Sequence, residues 1–364
     1  MATTATVTTT TTTIRTTEPG SRARLGLLAV LLWACSAQRP APSVAPKAKP
    51  AEPLHQGPLT DYVSAAGLRW LVLTKPQAVL ANRELGQAIT QIASQTRFDA
   101  FAESSGVDLR QVPHAAVAGF AYGTLYLAEL PAGAASTARE RFSDRLLTGA
   151  TTKQPRPTLT RITGIVGQTP ETLVTADDRL LAVAVGDPLP AKIVEAYAEE
   201  RLKNSPSALH GSALSTLPDF SASAAALLAP GPLPEEWQAA AGGLLRSAVA
   251  VGIGVEPAAA GHLNATLCVS GAWGDTADAA GQQLLEAWRT FARSTTGSLY
   301  GLDPEARVRV DAELLTLNVD VTIAPLVHGL KAVVLSDISE IMSLPVRNSP
   351  ARAPLEKPTT TTPQ

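Results

Sequence analysis

Aromatic residues are scarce in this chain, with Phe, Tyr and Trp together making up 4% of 364 residues. That leaves little of the stacking surface on which sugars or single-stranded bases are held. Charge is sparse too: Asp, Glu, Lys and Arg reach 17%, the formal net charge is −2, and no basic block exists to neutralise phosphates. Nucleic acid is excluded as a partner on those grounds. Two cysteines, Cys35 and Cys268, cannot build a disulfide framework. The apolar run Leu25–Ala34 is about half the roughly 20 residues a membrane-spanning helix needs. The local signatures G-x-S-x-G, H-E-x-x-H and S-x-x-K are missing. The histidines (His55, His114, His210, His262 and His328) are scattered, and no two share metal-ligand spacing. No catalytic residue, cofactor or metal ligand is therefore assigned from the sequence.

What is present begins near the N-terminus. A threonine-rich tract, with Thr8 to Thr13 consecutive, precedes the short positive stretch Ser21-Arg22-Ala23-Arg24 and the apolar run Leu25–Ala34. Positive region and short apolar core together form the pattern of a secretion signal. The segment Leu32-Trp33-Ala34-Cys35 closes it, with Leu at −3, Trp33 at −2, a small residue at −1 and Cys at +1. It resembles the lipobox of bacterial lipoproteins. The resemblance implies lipidation of Cys35 by several acyl chains, enough for a stable anchor. With Ser36 rather than Asp at +2, it also implies an outer-membrane lipoprotein facing the periplasm. Ordinary signal cleavage within Cys35-Ser36-Ala37 and a cytosolic chain with a chance apolar stretch remain as alternatives. Removing residues 1–34 takes away Arg15, Arg22 and Arg24 against Glu18 and shifts the net charge to −4.

Composition divides the rest. Residues 35–58 carry the lipidated Cys and a Pro/Ala-rich linker, semi-rigid and extended at about 3.1 Å per residue. Residues 346–364 are a polar tail too poor in apolar residues to fold. Between them, residues 59–205 and 206–345 show the same order of elements.

In the first half, 68–74 is a predicted strand, and Pro76 opens a helix on which Leu85, Ile89 and Ile92 recur at helical spacing. A second helix carries Phe98 and Phe101 and stops at Gly106; a hairpin turns at Gly123-Thr124 between 115–122 and 125–130. A helix at 134–147 leads to strands near 158–166, 171–176 and 179–185, the last two joined at Asp177-Asp178. Pro188 and Pro190 introduce a helix with Ile193, Val194 and Tyr197, and 203–222 reads as a connector. The second half offers a strand at 224–229, a helix over 235–245 and a hairpin of 248–255 with 262–270. A helix capped by Asp275 follows, with Leu284, Trp288 and Phe291, then strands at 307–312 and 315–323 and a closing helix through Leu326, Leu330 and Val333. The expected fold is α+β, a tandem repeat of antiparallel sheets with helices packed on one face.

Four features invite a functional reading. Gly252-Ile-Gly254 sits inside an alternating apolar run, so its glycines belong to a strand rather than to a phosphate loop. Cys268 is expected as a small buried hydrophobe. Asp311, Glu313, Asn318 and Asp320 line one sheet face if their strands pair, which alternation explains as a solvated face without function. Trp70, Tyr122 and Tyr126 form either packed strand aromatics or a binding surface. The function expected is that of a non-enzymatic, membrane-anchored envelope lipoprotein whose two-repeat domain binds a protein or envelope partner. The alternatives are a periplasmic carrier or sensor of a small apolar ligand and an enzyme with a dispersed site, since a triad needs no local motif. A sizeable exposed apolar patch favours the first, and an enclosed aliphatic cavity the second.

Overall fold

The computed structural model describes residues 53–331, Ala260 excepted. The expected signal sequence, Cys35 with its expected lipidation, most of the expected linker and all residues beyond 331 lie outside the described residues. Within them, every strand joins one antiparallel sheet. The first half contributes β1 (Leu68–Thr74), β2 (Ala115–Phe120), β3 (Gly123–Glu129), β4 (Thr148–Arg156), β5 (Leu159–Val166), β6 (Thr169–Ala176) and β7 (Leu180–Gly186). The second contributes β8 (Ala225–Pro230), β9 (Ala248–Pro257), β10 (His262–Gly271), β11 (Arg307–Val310) and β12 (Leu314–Thr322). The spatial order is β11-β12-β10-β9-β8-β1-β2-β3-β7-β6-β5-β4. The halves meet where β1 pairs with β8, Leu71 opposite Leu228. The separate sheets expected from the sequence are thus one.

Local chemistry explains the joints. Asp177 and Asp178 adopt φ of 48° and 53°, the left-handed pair that a tight hairpin between β6 and β7 demands and that Asp tolerates. The β2–β3 hairpin turns two residues earlier than expected, at Ala121-Tyr122, leaving Gly123 and Thr124 in β3. Helices α1 (Pro76–Ala81) and α2 (Arg83–Ile92) are split by Asn82, whose side chain accepts the Glu84 and Leu85 N–H groups as a cap. Helix α3 (Gln95–Ser105) ends at Gly106 with φ 74°.

Helices lie on both faces of the sheet, not on one. Adjacent strand residues point to opposite sides, which separates the cores. On one face α5 (Leu189–Ala198) packs Val194 and Tyr197 against Leu127, Val174 and Ala182. An ion-pair chain pins it there: Arg161 Nη1 lies 2.5 Å from Glu195 Oε2, and Arg201 bridges Glu195 and Glu199. On the other face α4 (Ala134–Arg145) sets Ala138 and Phe142 against Ile162, Leu173 and Leu181. Further along that face α7 (Ala277–Arg293) covers Val269, Leu315 and Leu317, and α2 covers Leu263 and Val321. The reason for the correction is that β6, β7, β8 and β10 carry apolar residues on both sides, so each side demands cover.

Three smaller departures have local causes. The helix expected over 235–245 shrinks to α6 (Glu235–Gln238), because Ala241, Gly242 and Gly243 take φ of 52°, 65° and 88°. Asp275 falls inside a 3-10 turn, and Thr276 precedes α7. The linker also ends earlier than expected: Leu54 is buried in the main core and the His55 N–H donates to the Ala198 carbonyl. Strand β4 and the short α8 (Thr295–Leu299) had no sequence signal. The chain is helical again from 323 to 331.

Candidate functional site: an uncovered apolar sheet face

The middle of the sheet is treated differently on its two sides. Beneath α5 and the connector, Leu71, Ala118, Leu125 and Leu228 are 1% exposed or less. On the opposite side, directly paired residues form a continuous apolar band across β3, β2, β1, β8 and β9. Tyr126 faces Val117, Val117 faces Val72, Val72 faces Leu227, and Leu227 faces Ile253. None of the five is buried; Tyr126 is 46% and Ile253 40% exposed. None packs into any of the four apolar cores. Their outer partners do: Val183 leans on the α4 core and Leu267 on the α7 core. The band is therefore a trough between two helix-covered zones, about 19 Å wide at the spacing of paired strands. A contiguous apolar face of this kind is a candidate interaction surface.

The aromatic residues singled out in the sequence fall around this trough. Tyr126 is part of it. Trp70 lies on the same side, its indole filling the space where a Gly119 side chain would be. Tyr122 sits at the hairpin tip, 85% exposed. Valine and leucine supply most of the band, and the sequence reading missed them because a strand apolar on both faces shows no alternation.

Other candidates do not assemble into chemistry. Asp61 lies between two imidazoles, with His55 Nε2 at 3.1 Å from one carboxylate oxygen and His210 Nδ1 at 3.4 Å from the other. Ser207 Oγ is 3.3 Å from the same Nδ1. A nucleophilic triad needs serine and carboxylate on opposite ring nitrogens, so this cluster ties the linker end to the connector instead. Among the described residues, no group of three His, Cys, Asp or Glu is placed to hold a metal ion. The expected row of carboxylates is also broken. β11 stops at Val310, so Asp311 and Glu313 fall in the turn, while Asp320 turns to His262 with 2.5 Å between Oδ1 and Nδ1. Cys268 is fully buried on the α5 side, and burial pushes its thiol up, away from reactivity. Gly252 and Gly254 lie in β9 beneath Phe220, as strand glycines. His114 meets Glu129 at 2.8 Å at the surface. His328 lies on the helix 323–331.

A carrier of a small apolar ligand needs an enclosed, largely apolar cavity of about 300 Å³ or more. The cleft beside His55 and Tyr62 holds about 30 Å³. The cleft beside α2 holds about 270 Å³ and has a mixed lining, with Asn82, Arg83, Glu84 and His262 beside apolar residues such as Leu85 and Ile323. No helix among the described residues is long and apolar enough to cross a membrane.

No protein-family model matches the chain. No curated protein matches it either. Among solved structures, crystal form III of TP0453 aligns with a TM-score of 0.43 at 12% identity, covering 76% of this chain and 99% of that one. Crystal form I of TP0453 gives 0.40 at 11% identity, over 76% and 98%. A likeness at that level fixes neither fold nor function.

Proposed function

We propose that the chain is a non-enzymatic envelope lipoprotein, anchored through acyl chains on Cys35, whose folded region binds an apolar segment of a protein partner. The band across β3, β2, β1, β8 and β9 is the observation that carries this reading. Five directly paired apolar residues stay open to solvent although helices cover the sheet on either side. The trough is open and flat rather than enclosed, which suits a partner's amphipathic segment better than a small molecule. The two halves are proposed to be copies of one unit. Reading outward from the seam, β1-β2-β3 and β8-β9-β10 follow the same course, and each half then adds strands at its outer edge. Residue identity between the halves is slight, so the support is topological.

Two measurements test the reading. Membrane fractionation of native protein and Cys35→Ala, with mass spectrometry of the mature N-terminus, is expected to show an acylated Cys35 and release of the variant. A native N-terminus at Gln38, or an intact chain from Met1 in the cytosol, removes the tether. Photoreactive residues at Tyr126 and at Ile253 are expected to crosslink one and the same envelope protein, while a residue at the exposed Arg309 does not. Equal crosslinking from all three positions, or none from the band, overturns partner binding there.

A further inference from the structure

The trough raises the question of what fills it before a partner arrives, because an apolar face left open in solution invites aggregation. The last described residue, Lys331, is still helical, in a stretch that begins at 323 beside β12. The sequence beyond it, Ala332-Val-Val-Leu-Ser-Asp-Ile-Ser-Glu-Ile-Met-Ser-Leu-Pro345, lies outside the described residues. It has a pattern that the polar tail after it lacks. Val334, Ile338, Ile341 and Met342 fall at i, i+4, i+7 and i+8, while Ser336, Ser339, Glu340 and Ser343 fall on the opposite arc. Pro345 closes it.

Length and starting point both fit the trough. Val321 is level with Leu263 and Pro257 across β10 and β9, and Ile253 lies four residues along β9. Two strand spacings and four residue rises put Ile253 about 16 Å from the end of β12. The stretch 323–331 displaces the departure point by at most about 14 Å. Fourteen residues, 332–345, reach about 48 Å when extended, so they arrive at the near edge of the band whatever their direction. In helical form the same segment is about 21 Å long, close to the breadth of the band from Ile253 to Tyr126.

We infer that residues 333–344 occupy this band in the chain free of its partner, so that the partner must displace the chain's own C-terminal segment. The inference rests on the band being the recognition surface proposed above. It adds a consequence: apparent partner affinity is lowered by the fraction of chains in the covered form. Glu340 sits on the arc away from the stripe at 334, 338 and 341 and stays in water when the stripe is buried, whereas Asp337 borders the stripe beside Ile341 and marks its edge.

The test uses the full-length chain without its partner. A photoreactive residue at position 253 is expected to crosslink chiefly within 333–344, read by mass spectrometry of the digest. In Ile338→Asp/Ile341→Asp that product is expected to fall at least fivefold, while fluorescence of an apolar dye added to the protein rises. A crosslink from position 253 to any other part of the chain, or none within the chain, overturns the inference even if the double variant fails to fold. Partner crosslinks from Tyr126 and Ile253 in the envelope would then leave the binding reading standing. Their loss alongside an intact intramolecular crosslink would sink the binding reading alone.

Discussion

Leu227 and Leu228 are neighbours on β8 with the same side chain and opposite fates. Leu228 is 1% exposed, pairs with Leu71 and belongs to the core beneath α5 and the connector. Leu227 pairs with Val72 on the other side, touches none of the apolar cores and stays partly open. Composition cannot account for the difference, since both sides of the central strands are built from the same aliphatic residues. Cover does: one side has a helix and a folded connector over it, and the other has helices only at its flanks. The open band is thus a difference in cover, not in composition, and it is on this difference that the proposed partner binding rests.

The largest effect should come from the covered side. Leu228→Ala is expected to cost about 2–5 kcal/mol, the range for emptying a closed core site. Leu227→Ala is expected to cost no more than about 1 kcal/mol, because less area leaves water at that position on folding. Denaturant melts of both variants decide the matter. Equal losses would mean that Leu227 is covered after all and that the band is not a surface.

A smaller contrast lies one strand over, on β9. A Cβ at Gly254 would collide with the Phe220 ring and approach Ser223 Oγ to 2.7 Å. Gly254→Ala is therefore expected to destabilise by about 1–3 kcal/mol, the range for overpacking a filled site. Ile253→Thr, its neighbour in the band, should stay within about 0.5 kcal/mol of the native chain. A well-tolerated Gly254→Ala would show that the connector residue Phe220 is loosely held, and that the covered side is less closed than the geometry says.

Much of this architecture was readable from the residues. Alternation located β12 to within a residue, prolines marked the starts of α1 and α5, and Asp177-Asp178 gave away its hairpin. β4 was not readable, because Thr148-Gly-Ala-Thr-Thr-Lys-Gln-Pro-Arg156 is an edge strand with no apolar face to produce a period. Single-sided helix packing was the wrong expectation because β7 and β8 run almost continuously apolar, and such a run does not say which side is covered. The candidate site was half visible. Its aromatic member Tyr126 stood out in a chain with few aromatics, whereas Val72, Val117 and Leu227 look like any core residues until the strands are placed side by side. Asp61 between His55 and His210 was equally invisible, since its partners come from the linker and a connector far along the chain.

The outer limit of the open face can be read from a titration. Glu171 on β6 lies on the band's side of the sheet, level with Val185 and Gly164, but here the end of α4 intervenes. Leu146 packs over Gly164, and Arg145 Nη2 reaches to 3.6 Å from the Glu171 carboxylate. Burial raises the carboxyl above its ordinary 4.5, and the arginine offsets only part of that rise. As pH climbs from 4.5 through the raised value, the folded chain keeps a proton that the unfolded chain has released. Stability contributed by this group therefore falls across that window, and the loss is absent below 4.5. In Glu171→Gln the fall should vanish, so the difference in unfolding free energy between variant and native chain grows with pH above 4.5 and then levels off. Superimposable pH profiles would mean that Glu171 is solvated like Tyr126, and the uncovered face would then extend past α4 to β6.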